Sequence, residues 1–487
     1  MNQTPGERTP AAPCALVIFG ASGDLTRRKL VPALYNLEAD GMLSPDMQIV
    51  GFARRQKTGE EFRSELRAGV EQFSRRHLEA EVWDRLAPRL HYVHGGYDDA
   101  GSFERLSELL GGFGGACRAG GHIYYLALPP SAAESVLRRL GPAGPGSSRA
   151  EDANRRIMIE KPFGVDLRSA RALNELCAAA FPENGVYRID HYLAKDTVRN
   201  LMVFRFANAI FEHLWNRKYV DSVQITAAER IGVEGRGGYY EEAGVVRDML
   251  QSHLLQVMAL VAMEAPVAGD SESVRDRKVE VFKSLATVAR EDFVFGQYAG
   301  YRDEPGVSAD SRTPTFAAVR LRINNWRWEG VPFYLRSGKS LVTKVSEVII
   351  RFKDVPACVL QGDEACAMIR PNTLVIRLQP EEGIRLSFNT RVPGREERVR
   401  EAHMDFRYGQ LGGDMSEAYE QVIFDGLRGR PSHFWRNDGI EAAWRAVTPM
   451  LEATGGEDFP NYDPGSWGPA AAGELLAREG RRWLETY

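Results

Sequence analysis

The 487-residue chain has no apolar run long enough to cross a bilayer; after the polar, proline-bearing stretch Met1–Pro13, the first apolar segment is only Ala15–Phe19. Neither a signal peptide nor a membrane partner is expected. Cysteine is scarce: Cys14, Cys117, Cys177, Cys358 and Cys366 form no CxxC and no Cys/His set at metal-ligand spacing. That argues against a metal centre and for a reducing, cytoplasmic compartment. A charge excess is missing too, with 62 basic against 66 acidic residues, so no overall field attracts nucleic acid. Low-complexity tracts and solenoid repeats are absent. What is present, 44% hydrophobic and 26% charged residues, is globular composition. Single cores stop growing at roughly 250 to 300 residues, so two domains are expected, at 14–190 and 191–487.

The first domain reads as α/β. Short apolar runs at Ala15–Phe19, Gln48–Ala53, Ile123–Ala127 and Ile157–Ile159 alternate with amphipathic stretches, as parallel strands and crossover helices do. Leu30, Ala33, Leu34 and Leu37 recur at helical spacing up to Gly41. Gly141–Ser148, nearly all Gly, Pro and Ser, predicts an exposed loop. Beyond about residue 200 strict alternation takes over, in Val319, Leu321 and Ile323, in Leu374, Ile376 and Leu378, and in Ile384, Leu386 and Phe388. These predict half-buried antiparallel strands, the last two joined by a turn at Glu381–Gly383, with helices at about 194–206 and 247–263 upstream. The second domain is thus α+β.

Six groups of residues are candidates for chemistry. Gly20-Ala21-Ser22-Gly23-Asp24-Leu25 lies between a strand and a helix, where glycines let backbone approach a pyrophosphate. Arg54 and Arg55 follow the second strand, where an NAD-selective domain would present an acid; guanidinium there suits a 2'-phosphate. Arg188-Ile189-Asp190-His191-Tyr192-Leu193-Ala194-Lys195 gathers hydrogen-bond donors for a phosphate, and in a helix His191 and Lys195 would share a face. His253 stands in the apolar helix Arg247–Gln256; a neutral imidazole oriented by a carboxylate, with Asp190 a candidate, can accept the proton released when an alcohol is oxidised. Glu160-Lys161-Pro162-Phe163-Gly164 follows a strand, where doubly wound folds place ligands. Arg336–Lys339 and Lys344 read, by themselves, as an exposed basic turn.

Taken together, these motifs resemble the glucose-6-phosphate dehydrogenase family over nearly the whole chain. Tyr125–Pro130, Glu234–Tyr239, Asp248–Gln256 and Gly330–Lys339 extend the resemblance. It implies a Rossmann-like coenzyme domain followed by an α+β domain with a large, mainly antiparallel sheet used to form a homodimer or homotetramer. It implies His253 as general base with Asp190 as its partner, and His191, Tyr192 and Lys195 as holders of the glucose 6-phosphate phosphate. Lys161, Glu229, Asp248, Lys339, Lys344 and Gln379 match hexose or phosphate contacts. Gly20, Ser22, Gly23, Asp24, Leu25, Arg54, Leu128, Pro129 and Lys161 match coenzyme positions, for NADP with NAD as a second possibility. Ala194, Lys195 and Asp196 stand where the family usually has Gly, then Lys-Glu or Lys-Gln. Val345 and Ile349 replace basic residues of the second nucleotide site of animal members, so no structural NADP is expected. The alternatives are a sugar oxidoreductase of the glucose-fructose oxidoreductase type and a silent paralogue serving as a binding subunit.

Overall fold

A computed structural model describes residues 9–141, 154–360, 363–394, 398–412, 416–453 and 457–486. It divides into two compact units, each considered by itself.

The first unit comprises Met1–Lys195 with Val267–Arg275 and Met415–Glu441. Its sheet is built from β1 (Ala15–Phe19), β2 (Gln48–Ala53), β3 (Leu90–His94), β4 (His122–Leu126), β5 (Arg156–Ile159) and β6 (Val186–Arg188). The order is β3-β2-β1-β4-β5-β6 and every pair is parallel. Each strand of β1 and β4 is covered on both faces, which explains why they read as continuous apolar runs without alternation. Chain order reverses between β1 and β4, the switch point at which such sheets bind ligands. The expected strands are present within a residue of their predicted bounds; β3 and β6, shorter on apolar signal, are additional. The expected loop Gly141–Ser148 lies, but for Gly141, outside the described residues.

Where the sequence pattern suggests one boundary at 190/191, the compact unit takes back a distant segment. Helix Ala418–Arg428 packs on helix Val31–Ala39, burying Val422 and Ile423 with Leu16, Ile18 and Leu34. Glu420 fixes it: its carboxylate accepts from Asn36 at 2.9 Å and from Arg75 Nε at 2.7 Å.

The second unit comprises Asp196–Pro266, Asp276–Asp414 and Ala442–Tyr487. Its strands are β7 (Val220–Ala228), β8 (Phe293–Gly296), β9 (Phe316–Arg322), β10 (Pro332–Gly338), β11 (Val345–Phe352), β12 (Thr373–Gln379), β13 (Gly383–Arg391) and β14 (Val399–Arg407). They run in the order β14-β13-β12-β11-β7-β10-β9-β8, antiparallel throughout except for the central parallel pair β7–β10. The half-buried character expected of every strand holds for β13, whereas β9 is buried from Phe316 through Val319. The reason is a second cover: Phe316 and Ala318 join a core cluster with Tyr462, Ala472 and Leu475 of the C-terminal stretch, itself also tied to β7 by Gln224, which bonds Arg482 O and the Leu484 amide, each at 2.9 Å.

Two sequence readings are corrected. Cys358 and Cys366 form a disulfide, because the β11–β12 connection brings their Cα atoms to 5.7 Å; Cys14, Cys117 and Cys177 are free and buried. Arg336 is no exposed turn residue: it lies on β10, 1% exposed, with its guanidinium 4.3 Å from the ring centroids of both Trp467 and Trp483. Among the described residues no helix is long and apolar enough to cross a membrane.

Candidate functional site

In the first unit, parallel pairing dictates the site. Register aligns β1 with β4, β4 with β5 and β5 with β6, so the residues just past their carboxyl ends fall along one edge of the sheet: Gly20, then Ala127–Pro129, then Glu160–Lys161, then Asp190–His191. Backbone bonds carry that alignment one residue further, from Ala127 N to Phe19 O at 3.0 Å and from Ile189 N to Ile159 O at 2.9 Å. Four of the motifs singled out in this part of the sequence are therefore neighbours.

Gly20 is a glycine for two reasons. Its φ is +85°, and a Cβ on it would lie 2.3 Å from Ala127 O. The turn closes through Gly23 N to Gly20 O at 2.9 Å and leaves Gly23 and Asp24 exposed. The residues after it, Thr26–Leu30, are π-helical, with the Val31 amide reaching back to Thr26 O, before the α-helix Val31–Ala39 begins. Arg54 is exposed, its guanidinium 5.5 Å above the Tyr97 ring, and its carbonyl is held by His94 Nε2 at 3.1 Å; Tyr92 donates to Arg55 O at 2.5 Å. The basic turn is thus anchored from β3.

The stretch after β6 departs from the expected helix. Leu193, Ala194 and Lys195 donate to the carbonyls of Asp190, His191 and Tyr192 at 3.1, 3.3 and 3.2 Å, a succession of i→i−3 turns, and the α-helix starts only at Asp196. The buried Asp190 carboxylate accepts from the Tyr192 amide at 2.9 Å, and this side-chain bond competes with helix formation. The three donors nevertheless assemble through aromatic contacts: His191 meets Tyr192 edge-on at 5.3 Å, and Lys195 Nζ sits 4.1 Å from the Tyr192 ring centroid.

Sequence reasoning gave no role to Tyr125, named only within the Tyr125–Pro130 motif, and missed Tyr419. The Tyr125 hydroxyl donates to Glu160 Oε1 at 2.6 Å, and the Tyr419 ring lies parallel to His191 at 6.2 Å. Burial raises the Glu160 carboxyl above its ordinary value, against the lowering influence of hydrogen bonds from Tyr125 and Tyr419 and of the Lys161 charge. No local signal marks Tyr419, which comes from a helix more than two hundred residues away in sequence.

In the second unit the candidates gather at one end of the sheet. Glu229 follows β7, Lys339 follows β10 and Lys344 precedes β11; the register pairs Ala228 with both Gly338 and Val345. Lys339 forms an ion pair with Glu229, whose amide donates to Gly338 O at 3.0 Å. Gln379 on β12 donates to Ser346 Oγ at 3.0 Å. Above this end runs Val246–Leu254, a second π-helical segment in which the Leu255 amide reaches Leu250 O. It carries Asp248, which accepts from the Tyr239 hydroxyl at 3.1 Å, and His253, 1% exposed. Such helical irregularities recur at functional positions, and here both occur beside candidate residues.

Comparisons with known proteins point one way. Residues 17–200 match the family described as "Glucose-6-phosphate dehydrogenase, NAD binding domain" and residues 202–484 the one described as "Glucose-6-phosphate dehydrogenase, C-terminal domain". Glucose-6-phosphate 1-dehydrogenase 2 of Mycobacterium bovis is 42% identical, over 97% of this chain and 95% of its own. The Chlamydia muridarum glucose-6-phosphate 1-dehydrogenase is 39% identical over 98% of each chain. Glucose-6-phosphate 1-dehydrogenase 5, cytoplasmic, of Arabidopsis thaliana is 41% identical over 98% of this chain and 93% of its own. Among solved structures, glucose-6-phosphate 1-dehydrogenase from Mycobacterium avium superposes with a TM-score of 0.87 at 37% identity, covering 98% of this chain and 99% of the other. A glucose-6-phosphate dehydrogenase in complex with its substrate glucose-6-phosphate gives 0.89 at 35% identity, covering 98% and 100%.

Proposed function

The chain belongs to the glucose-6-phosphate dehydrogenase family, and from that premise we propose that it oxidises C1 of glucose 6-phosphate to 6-phosphogluconolactone, with NADP as the hydride acceptor. The observation that carries this reading is the alignment of Gly20, Leu128, Lys161 and His191 beyond the ends of adjacent parallel strands. A dinucleotide fits there: the loop turns at a glycine whose Cβ would strike Ala127 O, so bare backbone faces the switch point. When bound, the nicotinamide supplies the carbon that takes up the hydride.

The chain's own residues do the rest. Gly20, Ser22, Gly23, Asp24 and Leu25 hold the pyrophosphate, with Leu128 and Pro129 against the dinucleotide and Lys161 beside the nicotinamide. Arg54 reads the 2'-phosphate. His191, Tyr192 and Lys195 bind the sugar phosphate dianion, and Lys161, Glu229, Asp248, Lys339, Lys344 and Gln379 orient the hexose. His253 accepts the C1 hydroxyl proton as the hydride departs, and Asp190 is the carboxylate that orients it. The enzyme works as a homodimer or homotetramer; its compartment is the cytoplasm, a reading supported by the two Arabidopsis relatives named as cytoplasmic.

The test is nicotinamide reduction, followed by its absorbance, with glucose 6-phosphate, using glucose as control and NADP against NAD. Activity on glucose equal to that on the phosphate ester would overturn the substrate. Arg54→Ala should reduce preference for NADP over NAD by about tenfold, the lower end for a charge-assisted bond at an exposed position; equal losses with both coenzymes would remove Arg54 from that role.

A further inference from the structure

A cavity of about 390 Å³ opens in the second unit, at the end of the central strands opposite Glu229 and Lys339. It is lined by Arg217, Lys218 and Asp221 at the start of β7, by Glu329 and Gly330 before β10, and by Lys353 and Arg481 beyond β11 and in the C-terminal stretch. This volume is in the range of small-molecule sites, roughly 300 to 1,000 Å³.

The charges of the wall are not balanced. Asp221 is already committed: it pairs with Arg351 at 2.7 Å and, through both carboxylate oxygens, with Arg481 at 3.1 and 2.9 Å. Burial alone would raise its pKa, yet the bonds from Arg481 and Arg351 hold it below the ordinary carboxylate value, so it stays ionised and fully engaged. Arg481 is further matched by Glu479 at 3.0 Å. Lys353 spends one of its three ammonium donors on Arg217 O, at 2.7 Å. Arg217 and Lys218 have no side-chain hydrogen-bond or ion-pair partner among the described residues. Three cations with unused donors therefore face one opposing acid, Glu329.

Backbone hydrogen bonds fix the points from which these exposed side chains extend. Arg217 N donates to Arg327 O at 2.8 Å, Lys218 N to Asn216 Oδ1 at 2.9 Å and Lys353 N to Tyr219 O at 2.8 Å, so the three Cα positions are tied to the rigid start of the sheet. Gly330, at φ +82°, has nothing within 4 Å of where a Cβ would stand, which leaves that side of the cavity open for entry.

We propose that Arg217, Lys218 and Lys353 form an anion site for a phosphorylated small metabolite, separate from the groups assigned to the substrate. The dianion of a phosphate monoester matches donors of this number and charge; a cation would meet net repulsion, and a neutral sugar would leave the charges unanswered.

Equilibrium dialysis with radiolabelled inorganic phosphate, at low salt and with NADP saturating, tests the site in the full-length protein. A second arm uses adenosine 5'-monophosphate, with adenosine as control, to separate free phosphate from a phosphate ester. The parent should bind two phosphates per chain. Arg217→Gln with Lys218→Gln should weaken one of them at least tenfold and leave turnover of glucose 6-phosphate unchanged, whereas Lys195→Ala should remove the other. Unaltered binding in the Arg217→Gln, Lys218→Gln protein overturns the proposal, and so does loss of both phosphates on Lys195→Ala alone. Lys353→Gln, on a different strand, is expected to reproduce the tenfold weakening, and its failure to do so would equally count against the site. Two phosphates retained in Lys195→Ala would instead strike at the substrate reading and leave this one standing.

Discussion

The two units build their candidate groups in opposite ways. In the first, four loops at the ends of adjacent parallel strands deliver function because those strands stop together, and the coenzyme turn rests on backbone: a positive-φ Gly20 at a switch point. In the second, side chains do the work, and their meeting depends on register between strands more than a hundred residues apart, as when Lys339 reaches Glu229. The Gly20 loop of the first should be intolerant of added atoms at glycine. The second should be sensitive instead to the loss of side-chain groups.

The sharpest way to probe that contrast is His253→Asn. The imidazole is 1% exposed on a π-helical segment, and the smaller amide adds no bulk and keeps a polar group there, so folding and substrate binding should survive. Turnover should fall by roughly two to four orders of magnitude with KM nearly unchanged, as loss of a general base requires. Steady-state kinetics decide it; a rise in KM at constant kcat would make His253 a binding residue.

Next in size is Lys195→Ala. Its ammonium lies over Tyr192 in a cluster made entirely by the first unit. Loss of a charge-assisted bond of roughly 1.5 to 3 kcal/mol should raise KM for glucose 6-phosphate by about ten- to a hundredfold and leave the weak reaction with glucose alone. Equal effects on both sugars would refute a phosphate role.

How far sequence led follows the same division. The loop at Gly20 and the strands β1 and β2 were legible because every signal is local: an apolar run, glycines, then helical periodicity. The helix expected through His191 and Lys195 was not there, since the Asp190 carboxylate caps a turn instead and alternation of apolar residues cannot report that bond. Motif resemblance named Glu229 and Lys339, but their pairing, the parallel strands β7 and β10 beneath it, and the parallel stacking of Tyr419 on His191 are products of long-range topology. The disulfide between Cys358 and Cys366 is of the same kind, two residues at no motif spacing joined by how a connection folds.

Two partly buried carboxylates sharpen the comparison at intermediate scale. Glu160 of the first unit has a pKa raised mainly by burial, so its contribution is most favourable below its unfolded value and is lost as pH rises through the folded one. Asp221 of the second unit is lowered by Arg481 and Arg351 despite its burial, so its contribution is present above the unfolded value and lost as pH falls through the folded one. Asp221→Asn should therefore destabilise the protein by about 1 to 3 kcal/mol at neutral pH, with the deficit shrinking under acid. Glu160→Gln should show a difference of opposite slope. Denaturant melts between neutral pH and the carboxylate range give both; parallel slopes for the two variants would sink the assignment of opposite shifts.

The smallest expected effect belongs to Ala194→Gly, which restores the residue usual in the family. Ala194 is 5% exposed within the first unit's core cluster, and its amide closes one of the i→i−3 turns that position Lys195. It is not among the residues with positive φ, so the backbone here does not need glycine's freedom. Removing the methyl group forfeits about 0.8 kcal/mol of burial and adds roughly 0.5 to 1 kcal/mol of unfolded-state freedom, a combined loss of stability of about 1 to 2 kcal/mol. Because the turn hydrogen bonds are made by backbone atoms, Lys195 should stay in place and KM for glucose 6-phosphate should move by less than about threefold, or roughly 0.65 kcal/mol. Thermal melts and KM measured on the same preparation separate the two consequences. A gain in affinity of tenfold or more, with stability unchanged, would mean that the methyl group obstructs the phosphate directly and that the cluster of His191, Tyr192 and Lys195 binds it in a geometry these turns do not hold.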